Sequence, residues 1–343
     1  MKKTITILVF AIFLIVSLKA SAQWVQVANG LEVTTIYSVA TNGNIIFAGT
    51  ENGNIYRSTN IGKSWSYNYH SNVGRIYSIA TLGNNIFAGG GHGYSTYGGI
   101  IFSTNNGTNW SHMGLSGKIV YSITTLGSIV FAGTENNGVY LTTNNGTHWV
   151  QTALNNKTVS SIATLDSTVF AGTNSGVFIS TNFGITWTQS SLPFSGAILS
   201  LATLGNIVFA GTNSGVAMST NNGINWTTTS ANSGCTSFTT LGNTIYAGYE
   251  SHVRLSTNNG VNWTNMDFVF PYIGINSLAS NDTNIFAGTY QSNSYGRVFI
   301  SEGSKWTLPP SYINVLSTFG NNIYAGTNFD VFTSNDAGLN WSP

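Results

Sequence analysis

Charged side chains are rare in this sequence. Eleven Lys and Arg residues stand against ten Asp and Glu residues, and together they make up 6% of the 343 residues. A protein that binds nucleic acid neutralises a row of phosphates with a basic surface, and anionic lipids attract clustered Lys and Arg in the same way. The composition offers no such cluster, so we expect neither nucleic acid nor an anionic membrane surface as a partner.

Cysteine and proline are nearly absent as well. Cys235 is the only cysteine, which excludes an intrachain disulfide framework. The five histidines show no metal-ligand spacing, and neither a G-x-S-x-G elbow nor a phosphate-binding loop occurs. The sequence therefore predicts no metal and no cofactor.

One long apolar run is present, close to the N-terminus. Two lysines precede an apolar stretch from Ile5 to Leu18, and the small residues Ala20–Ala22 follow it. This is the layout of a secretory signal peptide, and the run is short for a membrane span, which needs about 20 apolar residues. We expect cleavage after Ala22, which leaves a mature domain of residues 23–343 without a membrane span. The protein is predicted to be secreted, periplasmic or held at the cell surface.

Glycine, serine, threonine and asparagine are abundant, and they recur in a fixed order. The octapeptide "STNNGINW" (Ser219–Trp226) returns with small changes along the chain, alternating with "FAGT" and its variants. A third motif, such as "IYSIA" (Ile76–Ala80), precedes each "FAGT". Eight such units follow one another at a spacing close to 40 residues, and every one of the nine tryptophans lies on this grid.

Each unit has the pattern of four short strands, A to D, separated by tight turns. Runs of about five residues rich in Val, Ile, Phe and Tyr and bounded by Gly and Asn are typical of strands, and four strands in about 40 residues are typical of a propeller blade. We therefore predict an all-β fold, a single β-propeller domain over residues 23–343 with four-stranded antiparallel blades. Eight units predict eight blades, with seven as the alternative. The Trp-led strand at the mature N-terminus is expected to join the last blade and close the ring.

The octapeptides follow the pattern S-x-[D/N]-x-G-x-x-W between strands C and D. In this they resemble the Asp-box, or bacterial neuraminidase repeat, of a family that includes sialidases, xyloglucanases, sortilin-type receptors and a photosystem assembly factor. The resemblance covers essentially the whole mature chain and implies a β-propeller. The residues at its Asx and Trp positions are Asn60, Asn105, Asn144, Asn182, Asn221, Asn258 and Asp336, and Trp65, Trp110, Trp149, Trp187, Trp226, Trp263, Trp306 and Trp341. The seventh unit, "SEGSKW", is shortened and lacks the Asx position.

The chemistry of the octapeptide favours a structural turn over an active site. An Asx side chain accepts a hydrogen bond from the backbone two residues on, and Gly adopts the positive φ that a tight turn needs. The Trp offers a large apolar face for packing between blades. Recurrence around a whole ring also favours a scaffold role, because a ligand needs one site.

The connections between strands B and C vary in length. In an up-and-down sheet the A–B and C–D turns share one face, here called the octapeptide face, and the B–C and D–A connections share the other, here called the variable face. The B–C connections are long in the second and seventh units, and the D–A connection into the seventh unit is aromatic. Loops on a rigid scaffold tend to carry function, although these loops could instead fold down and cover the blade edge. The candidate binding residues are His92, Tyr94, Tyr97, Phe270, Tyr272, Tyr290, Tyr295 and Arg297.

Carboxylates give a weaker indication of catalysis. Glu51, Glu135 and Glu250 directly follow strand B, and Asp282 is a further candidate. Two carboxylates about 5–10 Å apart could hydrolyse a glycoside, whereas solvated charges at loop ends are the ordinary alternative. The leading prediction is a monomeric, non-catalytic, exported propeller that binds a protein or a glycan through the variable face. The alternative is a sialidase-like or xyloglucanase-like glycoside hydrolase.

Overall fold

The computed structural model describes residues 24–26, 30–31, 34–92, 98–193, 196–250, 252–269, 273–282, 284–291 and 298–302, and three strands within 315–334. Every regular element in these ranges is a β-strand, and no helix in them is long and apolar enough to cross a bilayer. The signal peptide predicted for residues 1–22 lies outside the described residues.

Six blades each take four consecutive antiparallel strands from one repeat. The N-terminal strand β1 (Trp24–Gln26) precedes them. The first two blades contain β2 (Ile36–Asn42), β3 (Ile45–Thr50), β4 (Asn54–Ser58) and β5 (Ser66–His70), then β6 (Arg75–Leu82), β7 (Asn85–Gly91), β8 (Gly99–Ser103) and β9 (Ser111–Gly114). The third and fourth contain β10 (Val120–Leu126), β11 (Ile129–Thr134), β12 (Gly138–Thr142) and β13 (Val150–Gln151), then β14 (Val159–Leu165), β15 (Thr168–Thr173), β16 (Gly176–Ser180) and β17 (Thr188–Gln189). The fifth and sixth contain β18 (Ile198–Leu204), β19 (Ile207–Thr212), β20 (Gly215–Ser219) and β21 (Thr227–Thr228), then β22 (Ser237–Leu241), β23 (Thr244–Gly248), β24 (His252–Ser256) and β25 (Thr264–Val269).

The seventh repeat forms a composite sheet with the N-terminal strand. Its own strands are β26 (Ile273–Ser280), β27 (Asn284–Gln291) and β28 (Val298–Glu302), and β1 pairs with the outer edge of β28, with Trp24 opposite Ser301. The eighth repeat forms a separate three-stranded sheet of β29 (Val315–Phe319), β30 (Asn322–Gly326) and β31 (Val331–Ser334).

The predicted blade number is therefore wrong. Among the described residues, six blades have the predicted build of four strands from one repeat, which is neither eight nor the alternative of seven. The predicted closure is wrong as well, because the N-terminal strand joins the seventh repeat and not the last. The closure was mispredicted because two strands offer β1 nearly the same edge to pair with. The sequence of β28 is "VFISE" and that of β31 is "VFTS", so the repeat pattern does not indicate which of them pairs with β1.

Serine hydroxyls connect the inner strands of neighbouring sheets around the ring. In five links, a strand A serine accepts a hydrogen bond from a backbone N–H on strand A of the next sheet. The ring closes where the Val39 N–H donates to Ser277 Oγ at 3.0 Å, across 238 positions of sequence. The other four links are Ile123 to Ser78 (2.9 Å), Ile162 to Ser122 (3.0 Å), Leu201 to Ser161 (2.9 Å) and Leu278 to Ser237 (2.7 Å).

The core lies between adjacent sheets. The Phe of each "FAGT" motif is fully buried where the structure describes it, and burial of such a ring stabilises the fold by about 1.5–3 kcal/mol. The octapeptide Gly of one blade packs on the Phe of the preceding blade: a Cβ at Gly107 would lie 2.3 Å from Phe47 Cε1, and a Cβ at Gly260 would lie 2.3 Å from Phe209 Cε1. The octapeptides are thereby part of the contact between blades.

Candidate functional site

A β-bulge interrupts the pairing of strands A and B at the same place in six sheets. It lies at the variable-face end of strand A, one residue after the buried Ile or Val that opens the motif. Bulges re-aim a side chain relative to its sheet. The bulged residues are Tyr37, Tyr77 and Tyr121 in the first three blades, and Ser160, Leu199 and Asn276 in the fourth blade, the fifth blade and the composite sheet.

The three bulged tyrosines contact one another in sequence, and we call them the tyrosine arc. The ring centroids of Tyr37 and Tyr77 lie 5.3 Å apart at 78°, and those of Tyr77 and Tyr121 lie 5.0 Å apart at 62°. Both are edge-to-face contacts, a favourable geometry for aromatic pairs. All three side chains are half-buried, so the arc is a surface of rings at the variable-face end of the inner strands.

The fold does not require tyrosine at this position. In the fourth blade, the sixth blade and the composite sheet, a small polar side chain in the same column bonds the backbone carbonyl of the next inner strand, whereas the fifth blade carries Leu199 there. Thr236 Oγ1 donates to the Ile275 carbonyl at 2.7 Å, Asn276 Nδ2 donates to the Ile36 carbonyl at 2.9 Å, and the Ser160 hydroxyl donates to the Ile198 carbonyl. Where tyrosine stands, ring contacts link the neighbouring blades.

Arg75 and Glu51 form an ion pair on one side of the arc. Arg75 Nη2 lies 2.8 Å from Glu51 Oε1, and the guanidinium carbon lies 5.5 Å from the centre of the Tyr37 ring. Burial lowers the pKa of Arg75, but the hydrogen bonds with Tyr77 and Glu51 and the charges of Tyr37 and Tyr77 outweigh it, so the net shift is upward. An ion pair between partly exposed groups contributes about 1 kcal/mol or less to stability, so its main effect here is to orient both side chains.

Glu135 occupies the matching position on the other side of the arc. Its Oε1 accepts a hydrogen bond of 2.8 Å from the Tyr121 hydroxyl, and its Oε2 lies 3.7 Å from His92 Nε2. Burial, followed by the hydrogen bond and the charge of Glu135, raises the pKa of Tyr121 above its ordinary value. Glu51 and Glu135 are equivalent in the two repeats, since the backbone N–H of each donates to the carbonyl two residues before the bulge of its own blade.

Three residues predicted from the sequence therefore lie beside the tyrosine arc, at its two ends. Glu135 and His92 face each other at the Tyr121 end, and Glu51 contacts Arg75 at the Tyr37 end. Glu250 is exposed on the sixth blade. Asp282 does not share this face, because it lies in the turn between β26 and β27, at the octapeptide end of the strands.

Of the other predicted binding residues, the structure describes only the backbone of Tyr290. Tyr290 lies in β27 with its backbone opposite Gly274. The remaining predicted residues outside the described ranges are Tyr94, Tyr97, Phe270, Tyr272, Tyr295 and Arg297, together with Trp306, Asp336 and Trp341 of the octapeptides.

The six described octapeptides share a set of hydrogen bonds within the turn, although the Trp149 indole N–H of the third blade is buried without a partner. In the fifth blade the Ser219 hydroxyl donates to Asn221 Oδ1 at 3.0 Å, the Gly223 N–H donates to Ser219 Oγ at 2.9 Å, and the Trp226 indole N–H donates to the Gly223 carbonyl at 3.0 Å. Asn221 Oδ1 accepts from the N–H of Asn225, four residues on and not two, because the Ser219 oxygen takes the nearer N–H groups. Three of these bonds recur in all six turns: the Ser or Thr hydroxyl to the Asn side-chain oxygen, the Gly N–H to that hydroxyl oxygen, and the N–H four residues after the Asn to the Asn side-chain oxygen.

Tyr37, Tyr77 and Tyr121 were missed as site residues from the sequence, and so was the contact of Arg75. The signal was present in the second letter of the strand A motif, which changes from Tyr in the first three units to Ser, Leu, Thr and Asn afterwards. Within the described part of the chain, no group of three or more His, Cys, Asp or Glu side chains could hold a metal ion.

No protein-family model and no curated protein matches this chain. Solved structures match it over most of its length. Ycf48 bound to a D1 peptide is 16% identical with a TM-score of 0.62, covering 84% of this chain and 97% of that one. The GH74 xyloglucanase from Xanthomonas campestris is 13% identical with a TM-score of 0.58, covering 94% of this chain and 69% of the enzyme. The extracellular domain of a putative one-component system from B. thetaiotaomicron is 17% identical with a TM-score of 0.64, covering 93% of this chain and 47% of that one. At these identities the likeness shows the fold alone, a β-propeller of four-stranded antiparallel blades.

Proposed function

We propose that this protein is an exported, non-catalytic propeller that recognises a protein or a glycan through its variable face, with the tyrosine arc at the centre of the site. One observation carries the proposal. Three consecutive blades place tyrosine in a column where a small polar residue bonds the next inner strand in three other sheets and Leu199 stands in the fifth blade. Side chains that exceed what the scaffold needs, at one place in a repeating ring, indicate a ligand-binding role.

The chemistry of the arc suits such a partner. Tyrosine supplies a large, rigid contact surface with a hydroxyl group at little cost in conformational entropy, which favours both sugar stacking and peptide contact. The Arg75–Glu51 ion pair and the contact of His92 with Glu135 add polar groups beside the arc. A peptide bound to the similarly folded Ycf48 supports a protein segment as one kind of partner. We propose that this surface is extended by Tyr290 of β27 and by the residues predicted to lie in loops, Tyr94, Tyr97, Phe270, Tyr272, Tyr295 and Arg297.

The test is a binding screen with a matched pair of variants. The secreted protein is passed over a glycan array and over extracts of the parent cell envelope, and each bound ligand is then measured by calorimetry. The variant Tyr37→Ser, Tyr77→Ser, Tyr121→Ser installs the residue that the fourth blade carries, and we expect it to bind at least tenfold more weakly. Tyr67→Ser, at an exposed tyrosine of β5, is the control and should bind normally. Unchanged binding by the triple variant would exclude the arc as the site.

We further propose that the octapeptides are Asp-boxes that serve as scaffold turns, and that residues 1–22 are removed on export. The turn geometry supports the scaffold role. Each described Asn accepts hydrogen bonds within its own turn, and each described Gly that packs on the Phe of the preceding blade contributes to the contact between two blades. N-terminal sequencing of the protein from the periplasm and the medium tests the second, with Gln23 expected as the first residue.

A glycoside hydrolase is the second candidate function. The observation that favours it is that Glu51 and Glu135 both lie beside the tyrosine arc, in the first and third blades. Each carboxylate is held by a partner, however, Glu51 by Arg75 and Glu135 by Tyr121. Oligosaccharide turnover that is lost in both Glu51→Gln and Glu135→Gln would establish an enzyme and overturn the non-catalytic proposal.

A further inference from the structure

A cleft of about 450 Å³ opens on the variable face of the fourth blade. One wall is the B–C turn that leads into β16, and the other is the end of β17 with the start of the D–A connection. Its lining includes Ser175, Gln189, Ser191 and Leu192. The volume lies within the range of ligand pockets, about 300–1,000 Å³. Hydroxyl and amide groups beside one aliphatic side chain suit a sugar ring, which carries hydroxyls at its edge and C–H groups on its faces.

Two polar groups of the cleft are available to a ligand. Gln189 Nε2 donates to the Ser175 carbonyl at 2.7 Å, which fixes the amide, while its Oε1 accepts no hydrogen bond from the described residues. The exposed Ser191 hydroxyl is likewise unbonded within the described part of the chain. Ser190 is used by the fold instead, since its hydroxyl accepts from the Trp226 indole N–H at 2.9 Å. An acceptor and a hydroxyl thus stand in a cleft whose wall is already held in place.

Lys157 brings a positive charge to the rim of this cleft. Its ammonium group donates to Ser175 Oγ at 3.4 Å and lies 5.8 Å from the centre of the Phe178 ring of β16. The side chain is half-buried, as expected for a lysine whose stem packs while its charge stays near water. No carboxylate of the described residues lies within ion-pair distance of it. An anion bound here gains a charge-assisted hydrogen bond without breaking an ion pair.

The third blade repeats the arrangement around Lys118. Its ammonium group donates to Asn137 Oδ1 at 3.1 Å and lies 5.4 Å from the centre of the Tyr140 ring, and Gln151 Nε2 donates to the Asn137 carbonyl at 2.7 Å. Lys118 also has no carboxylate within ion-pair distance among the residues that the structure describes. The scaffold does not require lysine at this position. The first, second, fifth and sixth blades carry Thr34, Gly74, Gly196 and Ser233 there.

We propose that the cleft of the fourth blade binds a carboxylate-bearing sugar of an acidic glycan. Lys157 meets the carboxylate, and Gln189 and Ser191 meet the ring hydroxyls. Lys118 meets a second carboxylate where the glycan continues over the third blade. The inference rests on the proposed function, that the variable face recognises a ligand, and names the chemical class of that ligand.

Charge complementarity favours an acidic partner for these two blades. Lys118, Lys157 and Glu135 are their charged side chains on the variable face, so the cations outnumber the carboxylate. Glu135 is bonded to Tyr121 on the inner strand, whereas Lys118 lies over the ring of Tyr140 on strand C. The hydroxyl and amide lining of the cleft favours a sugar over an acidic peptide, because a sugar ring offers several hydroxyls to it.

The test is calorimetry of the purified protein with a galacturonate trisaccharide and with its methyl ester, which keeps the ring hydroxyls and removes the charges. The acid should bind, and the ester should bind about tenfold more weakly, the loss expected for a charge-assisted hydrogen bond. A galacturonate hexasaccharide should bind more tightly than the trisaccharide, and Lys118→Met should remove that gain.

Lys157→Met tests the cation itself. It keeps an unbranched stem beside Phe178 and removes the ammonium group, so it should bind the acid about tenfold more weakly with an unchanged thermal midpoint. Lys157→Arg should retain binding. Lys63→Met, at an exposed lysine of the first octapeptide, is the matched control and should bind as the wild type does.

A wild type that does not bind the acid, or a Lys157→Met variant that binds it as tightly as the wild type, would overturn the proposal. Poly-glutamate that binds through Lys157 while the trisaccharide does not bind would overturn it in favour of an acidic peptide.

The variant Tyr37→Ser, Tyr77→Ser, Tyr121→Ser separates this inference from the proposed function. A neutral glycan or a protein that binds the wild type and not this variant, in the absence of galacturonate binding, would overturn the cleft and uphold the arc. Galacturonate binding that depends on Lys157 and persists in this variant would uphold the cleft and count against the arc.

Discussion

The hydroxyl group of Tyr121 donates a hydrogen bond of 2.8 Å to Oε1 of Glu135. The bond joins the third ring of the tyrosine arc, on an inner strand, to the loop that follows strand B of the same blade. Oε2 of Glu135 also lies 3.7 Å from His92 Nε2 of the preceding blade, so the Glu135 carboxylate contacts both Tyr121 of its own blade and His92 of the second blade. The hydrogen bond thereby holds the ring of Tyr121 in one orientation.

This bond predicts an alkaline loss of stability. The pKa of Tyr121 is raised by burial and then by Glu135, so the neutral phenol is favoured in the folded state. The neutral Tyr121 phenol contributes its full stabilisation of the folded state at pH values below the unfolded pKa of about 10. This stabilisation is lost as the pH rises through the folded pKa. We expect the unfolding free energy to fall less steeply above about pH 10 in Tyr121→Phe than in the wild type.

Urea denaturation at several pH values between about 8 and 11.5 measures this slope. Tyr246 and Tyr249, whose pKa values are also raised by burial, remain in both proteins and cancel in the difference. Equal slopes in the wild type and in Tyr121→Phe would contradict the assigned role of the bond.

Cys235 is expected to be inert in the folded protein. Its side chain is fully buried, and burial raises the pKa of the thiol to about 12, against which the hydrogen bonds with Ser200 and Ser237 act only weakly. The thiolate is the reactive species, so a neutral buried thiol does not react. A chromogenic disulfide reagent should label Cys235 only at the rate of unfolding, and labelling should be immediate in denaturant. Fast labelling of the native protein would show that the sixth blade opens locally.

Two substitutions at Asn221 should separate the effect of losing a hydrogen-bond acceptor in the octapeptide turn from the effect of adding a charge. Asn221 Oδ1 accepts from the Ser219 hydroxyl and from the N–H of Asn225. Asn221→Asp keeps both bonds, whereas Asn221→Ala removes them and should lower the unfolding free energy by about 1–2 kcal/mol. The denaturation midpoints of the two variants give the comparison. A loss of the same size in Asn221→Asp would mean that charge, and not the acceptor, matters in this turn.

Much of the scaffold could be predicted because the same sequence pattern recurs in each repeat. The order of strands, the turns between them and the placement of the octapeptide follow from residue types that recur in each unit. Closure could not be predicted, because β1 meets nearly the same strand sequence in β28 as in β31. A repeat pattern cannot specify which of two equivalent edges receives a single strand.

The candidate site was predictable only in part. Glu51 and Glu135 could be assigned to the variable face by the parity of the strands. Arg75 lies 24 residues from Glu51 in sequence, and the two meet because a B–C loop lies beside the start of the next inner strand. That contact arises between repeats, so inspection of single units does not show it. The tyrosines were missed because their column lies inside a strand motif and not in a loop.

The last prediction concerns two glycines in left-handed turns that differ in their surroundings. Gly223 has φ of 78°, and a Cβ there would lie 2.7 Å from Ile179 Cδ1 and 3.0 Å from Phe170 Cε1 of the preceding blade. Gly205 has φ of 54°, and a Cβ there would meet nothing within 4 Å. Gly205→Ala should therefore cost only the left-handed conformation, about 1–2 kcal/mol.

Gly223→Ala should cost the same amount and in addition about 1–3 kcal/mol, because the blade contact must open to admit the methyl group. The difference between the two unfolding free energies isolates the packing of an octapeptide on its neighbouring blade from the conformational cost that both variants share. Equal losses would mean that the octapeptides stabilise only their own turns, and the Gly–Phe contacts between blades would then contribute little to the ring.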